Sequence, residues 1–90
     1  VGQIYEGIIS GVTNWGIYVE LPNTIEGMVA LSQMDDDYYE FDEKKMLVFG
    51  KRTKKSYRLG DKVVVSVAKV DRMMGTIDFA FAEETDDFQE

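Results

Sequence analysis

A chain of 90 residues that is 44% hydrophobic, 12% aromatic and 30% charged, with eight Gly and one Pro, has the composition of a folded chain with one small core. It has no Cys and no His, which removes disulfides, thiolate and imidazole metal ligands, thiol nucleophiles and the commonest general base, and with them most enzyme chemistry. The formal net charge of −7 opposes a phosphate partner on average, yet seven of the ten basic residues (Lys44, Lys45, Lys51, Arg52, Lys54, Lys55 and Arg58) lie between residues 44 and 58, where no acid occurs.

Strand-like segments follow one another along the chain. Residues 3–12 form a first strand. Residues 15–21 form a second, in which Ile17, Val19 and Leu21 alternate with Tyr18 and Glu20, so Tyr18 points away from the core. Pro22-Asn23-Thr24 is the hairpin turn, with Asn23 suited to a left-handed backbone, and residues 25–31 return as the third strand. Ser32 with Asp35 three residues on has the spacing of a helix cap and predicts one short helical turn. Tyr38 to Phe41 and Met46 to Phe49, around a polar corner at 42–45, suggest an extra hairpin, with a helix over 42–49 as the alternative.

Residues 50–58 read as a basic loop and Leu59-Gly60-Asp61 as a turn. Val63, Val65 and Val67 alternate in a fourth strand that runs to about Arg72, with a phase slip near Ala68 that predicts a bulge. After Met74-Gly75, Ile77, Phe79 and Phe81 alternate in the fifth strand. Residues 1–82 then make one domain, and 83–90 an acidic, disordered tail. The five methionines make no helical stripe and read as barrel filling and loop packing. Five strands with one apolar face each favour an all-β, five-stranded Greek-key barrel of the oligonucleotide/oligosaccharide-binding (OB) fold, with an inserted hairpin and basic loop between strands three and four. An SH3-like barrel or a small sandwich fits the same pattern.

The string Gly7-x-Ile9-x-x-Val12-x-x-Trp15-Gly16-x-Tyr18-Val19-Glu20-Leu21, then Ile25-Glu26-Gly27-Met28-Val29-Ala30-Leu31-Ser32, and later Leu59-Gly60-Asp61-x-Val63-x-Val65-x-Val67 with Val70-Asp71, closely resembles the RNA-binding domain named after ribosomal protein S-one. The insertion, through Asp36-Asp37-Tyr38-Tyr39-x-Phe41-Asp42-Glu43, Phe49-Gly50-x-Arg52-Thr53 and Tyr57-Arg58-Leu59-Gly60-Asp61, resembles that of the S-one domain in bacterial exoribonucleases of the ribonuclease R family. That resemblance implies a processive, hydrolytic 3′-to-5′ parent enzyme whose catalytic aspartates and Mg²⁺ belong to another domain. This fragment would itself be no enzyme and need no cofactor. Its partners would be single-stranded RNA and the remaining domains of the parent.

By the same resemblance Trp15 and Tyr18 match the aromatics that lie under stacked bases. For Tyr18 the alternation agrees independently. Trp15 is in phase with core residues, and a twist or bulge at Gly16 would be needed to turn its ring outward. Ala30 and Thr76 stand where the family often has His and a basic residue, which weakens the usual base contacts. Asp71 matches the family's acidic residue before the last hairpin, although a turn cap explains it equally, and Arg72 offers a phosphate or stacking contact. Lys51, Arg52, Lys54, Lys55 and Arg58 are candidates to track the phosphate backbone, unless they are simply a solvated loop.

Asp35, Asp36, Asp37, Glu40, Asp42 and Glu43 lack calcium-loop spacing and read as solvated acidic surface. No apolar run is long enough to span a bilayer and no signal segment is recognisable, so a cytoplasmic monomer without a membrane partner is expected. The start at Val1 reads as a piece cut from a longer protein. The competing function is a barrel whose acidic surface docks a protein, with little RNA affinity of its own. A third reading is an S-one domain of another RNA-decay or translation protein.

Overall fold

The computed structural model describes residues 2–82; the segment read as an acidic, disordered tail lies outside the described residues. Among the described residues eight strands occur in the order β1 (Ile4–Val12), β2 (Gly16–Glu20), β3 (Glu26–Ala30), β4 (Tyr39–Asp42), β5 (Leu47–Gly50), β6 (Ser56–Arg58), β7 (Lys62–Asp71) and β8 (Thr76–Phe81), with a 3-10 turn at Leu31–Gln33. Five of them close a barrel in the order β1-β2-β3-β8-β7, the five-strand closure expected of an OB fold. β1 serves both neighbours: its first half pairs with β7 and its second half with β2. It turns that corner at a register shift between Ile9 and Gly11, and the slip expected near Ala68 is the shift between Val67 and Lys69. The alternating apolar residues meet inside, where Ile9, Ile17, Val19, Val29, Val65 and Phe79 are buried.

The closing seam, β3 with β8, is parallel and carries a single bridge, Met28 to Asp78. Gly27 sits on it because a Cβ there would stand 2.7 Å from both the Ile77 carbonyl oxygen and the Phe79 ring.

The insertion is a separate three-stranded sheet, β4-β5-β6. Its first two strands are the expected hairpin rather than a helix. The segment expected to be a basic loop is only partly one: Ser56–Arg58 is a strand, with Tyr57 opposite Val48 and Arg58 opposite Leu47. A three-residue strand among lysines shows no period in sequence, and packing decides it. The Tyr57 ring stacks on Phe81 of the barrel, centroids 4.5 Å apart and planes 6° from parallel. Val48 is fully buried within the barrel's own core cluster, and Tyr39, Phe41 and Tyr57 of the insertion pack against that cluster. Barrel and insertion therefore share one core.

Three further expectations are corrected. Ser32 does not cap the helical turn; Ala30 holds the N-cap position without a side-chain bond. Backbone bonds hold the turn instead, from Leu31 N–H to the Trp15 carbonyl and from Met34 N–H to the Leu31 carbonyl, each 3.0 Å. In the β2–β3 turn the left-handed residue is Thr24 (φ 69°), because Asn23 uses its side-chain oxygen to accept the Ile25 N–H at 3.2 Å. Met73 and Met74 do not fill the barrel or pack a loop; they are 97% and 73% exposed.

Candidate nucleic-acid interface

Trp15 lies outside β2, which begins at Gly16 and runs in unbroken register against β3. No twist at Gly16 is therefore needed to bring the ring out: a loop residue is not bound by the strand's alternation, and Trp15 is 60% exposed. The loop is fixed by Thr13. Its hydroxyl donates to the Gly16 carbonyl (2.9 Å) and accepts the Gly16 N–H (3.0 Å) and the Trp15 N–H (3.3 Å). On the far side the Trp15 carbonyl receives the Leu31 N–H, so the backbone is held from both directions. The indole N–H donates to the Tyr18 hydroxyl at 3.5 Å, which joins the exposed Trp15 ring to the half-buried Tyr18 ring in one aromatic unit.

Register extends this unit across the sheet. Gly11 on β1, Tyr18 on β2, Met28 on β3, Asp78 on β8 and Lys69 on β7 form one cross-strand row. Gly11 leaves the Tyr18 ring open on one side and half-buried Met28 flanks it on the other. Sequence reading missed Thr13 and Met28. The Thr13-x-x-Gly16 turn signal was present for the first, whereas nothing local marks Met28, whose place depends on β3 pairing. Carboxylates edge the face, with the Ser10 hydroxyl donating to Glu26 at 2.5 Å.

Asp71 and Arg72 lie elsewhere on the barrel. β8 runs parallel to β3, so the hairpin tip after Asp71 is at the start of β3, whereas Trp15 adjoins its end. The Asp71 carboxylate accepts the Met74 N–H at 3.0 Å, which makes it a turn cap, and Arg72 is exposed.

The basic residues surround the β5–β6 turn, which is built on Asp37. That carboxylate accepts the Tyr38, Arg52 and Thr53 N–H groups at 2.6, 3.0 and 2.6 Å and the Thr53 hydroxyl at 2.6 Å. Desolvation opposes ionisation of Asp37, but the Thr53 hydroxyl and N–H bonds, with those of Tyr38 and Arg52, outweigh it and hold the carboxyl well below the usual carboxylate range. Lys51 pairs with Glu40 at 2.7 Å and Lys55 with Asp36 at 3.6 Å, while the Arg52 guanidinium donates to the Asp36 carbonyl at 3.2 Å. Among the described residues, the Lys54 ammonium and the Arg58 guanidinium form no ion pair with a carboxylate, although the Arg58 backbone N–H donates to the Asp61 carboxylate at 3.1 Å. Burial pushes the Tyr39 hydroxyl up, and its bond to Asp36 and the nearby Tyr57 act in the same direction. No group of carboxylates that would hold a metal ion occurs among the described residues.

Residues 1–81 match the S1 RNA binding domain family. The chain is 42% identical over 81 residues to ribonuclease R 1 of Lactococcus lactis and 41% identical over 81 residues to ribonuclease R of Escherichia coli. These matches cover 90% and 89% of this chain and 10% of each relative. Mycoplasma genitalium RNase R in complex with ribose methylated single-stranded RNA is similar in structure, with a TM-score of 0.84 and 25% identity over 91% of this chain and 13% of that one. The chain thus spans about a tenth of the length of the curated relatives it matches.

Proposed function

The chain belongs to the family of S1 RNA-binding domains, and from that membership we propose that it holds single-stranded RNA, with little sequence preference, as a non-catalytic part of a hydrolytic 3′-to-5′ exoribonuclease of the ribonuclease R kind. The observation that carries the reading is the Trp15–Tyr18 unit, an exposed indole on a loop that Thr13 immobilises, coupled by a hydrogen bond to a half-buried tyrosine on β2. Rings presented in this way stack bases of any sequence, each worth about 1–3 kcal/mol. Lys54, Arg58 and their paired neighbours supply phosphate contacts. Lys51 and Lys55 exchange a carboxylate for a phosphate when RNA arrives, a step that exposed ion pairs allow at low cost.

Hydrolysis and its Mg²⁺ are assigned to another domain of the parent enzyme, and this domain acts as a single copy in the cytoplasm, with RNA and the rest of that enzyme as its partners. Trp15, the single tryptophan, provides the test: its fluorescence is titrated with a short unstructured RNA, with Tyr18→Ala beside the unaltered chain. Saturable quenching, weakened about tenfold by the substitution, supports the reading. An absence of quenching, together with no binding by a labelled RNA, would leave the chain as a docking barrel.

A further inference from the structure

A groove of about 640 Å³ lies between the inserted sheet and the end of β8, lined by Met34, Tyr39, Tyr57, Phe81 and Ala82. The four large side chains are half-buried, so apolar surface that the shared core leaves uncovered meets water there. Its floor is aromatic and fixed: Tyr57 stacks on Phe81, and Tyr39 lies 6.1 Å from Tyr57 with its plane tilted by 52°. The rim is charged. Lys55 and Asp36 line it and pair at 3.6 Å, Asp35 lines it beside them, and Lys54 precedes Lys55 in the β5–β6 turn.

We propose that this groove takes the chain's own residues 83–90, with Phe88 seated among the three aromatics and the carboxylates of the segment against Lys54 and Lys55, so that the segment competes with RNA for those cations. The docking stands on the groove and the sequence; only the competition rests on the RNA-binding reading above. Three observations select this occupant. First, the described residues end in the groove: Ala82 lines it, held by its N–H bond to the Val64 carbonyl at 2.9 Å, so residue 83 starts at the groove itself. Phe88 is six residues further on, a reach of up to about 20 Å, close to the 22 Å smallest extent of the molecule. Second, the charges are complementary. Glu83, Glu84, Asp86, Asp87 and Glu90 come with no base, Lys51, Arg52, Lys54, Lys55 and Arg58 come within 50–58 with no acid, and Lys54 has no ion-pair partner among the described residues. Third, Phe88 is the one apolar side chain of the segment, and tilted or offset contacts between aromatic rings favour its place beside Tyr39, Tyr57 and Phe81. Asp35 and Asp36 are the opposing charges of the rim. Asp36 is engaged by Lys55 and by the Tyr39 hydroxyl, and the pair directs the carboxylates of the segment toward the Lys54 end.

The test uses the full chain with Phe88→Ser, which leaves the net charge at −7, so that a gain in RNA affinity is not a weaker overall repulsion. Circular dichroism checks that the barrel is retained. Nuclear magnetic resonance reads the docking without RNA: the Lys55 and Tyr57 amide signals, far from residue 88 in sequence, should shift in Phe88→Ser, while those of Asn23 and Thr24 stay in place. The combined change Glu83→Gln, Glu84→Gln, Asp86→Asn and Asp87→Asn should shift the Lys54 and Lys55 signals at low salt and not at about 1 M, where the screening length is only about 3 Å. If the segment fills the groove in about two-thirds of molecules, a third are ready for RNA, and Phe88→Ser should raise the affinity for a short unstructured RNA about threefold. Unmoved Lys55 and Tyr57 signals in Phe88→Ser overturn the docking, and if added RNA moves them instead, the groove is a base-binding site. Moved signals with an unchanged RNA affinity overturn the competition. If the unaltered chain binds no RNA while Phe88→Ser moves the signals, the docking stands and the competition falls with the RNA-binding reading.

Discussion

Thr13 decides how well Trp15 presents its ring. Its hydroxyl closes a small turn on Gly16 in both directions, so Thr13→Val, which keeps the shape and loses the oxygen, should free the loop while leaving the core untouched. Faster decay of Trp15 fluorescence anisotropy, a several-fold loss of RNA affinity and a modest fall in the urea midpoint are expected, since the hydroxyl makes three hydrogen bonds and each contributes about 0.5–1.5 kcal/mol. Gly27 is the opposite case. Its missing side chain lets β3 and β8 meet at their single bridge, and Gly27→Ala should lower stability by about 1–3 kcal/mol through overpacking, read from the same urea titration.

Of the single residues, Tyr18 was legible because strand alternation alone turned it outward. Trp15 was not, because one residue's difference in where β2 begins reverses the inference. Met73 and Met74 were misread for a related reason: composition treats methionine as core, and only the hairpin's projection from the barrel shows otherwise.

At the scale of elements, the inserted sheet is bound to the barrel through Val48 and the Tyr57–Phe81 stack. Val48→Ala should cost about 2–3 kcal/mol, from two lost methyl groups and the cavity they leave, and barrel and insertion should still unfold in one transition by fluorescence and circular dichroism together. Asp37 gives this element an acid limit. Its folded carboxyl lies below the ordinary value near 4, so its contribution is fully present above about pH 4 and is lost as the pH falls through the lower folded value. The β5–β6 turn should therefore keep its amide exchange protection from neutral pH to about pH 4 and lose it progressively as the pH falls from there toward the lower folded value. In Asp37→Asn that acid-dependent step should be missing. The hairpin β4–β5 could be read from its two apolar runs around a charged corner, whereas β6 could not, because its partner strand and Phe81 supply the reason for it to be extended. The helical turn was expected from a cap that is not used, and its place follows from the backbone bond to Trp15 instead.

For the molecule as a whole, the proposed function together with a net charge of −7 and a basic turn partly neutralised by its own acids predicts RNA binding that is weak and salt-sensitive. If about three phosphates are neutralised, log K should fall with log salt at a slope near −2, a loss of roughly twentyfold between 50 and 200 mM. Fluorescence titration at several salt concentrations measures it, and a flat response would remove the phosphate contacts from the account.

The sequence by itself determined the all-β class, the five barrel strands, the bulge near Ala68 and the segregation of charge, because period-two alternation and local composition are written in neighbouring residues. Family resemblance rested on the same strings. Only the tertiary structure decided that β6 is a strand, that the insertion shares the barrel's core, that Lys51 and Lys55 face Glu40 and Asp36, and that the methionine tip stands clear of the barrel. Each of these depends on what lies opposite a residue across the barrel or the sheet, and contacts between distant segments leave no period in the chain.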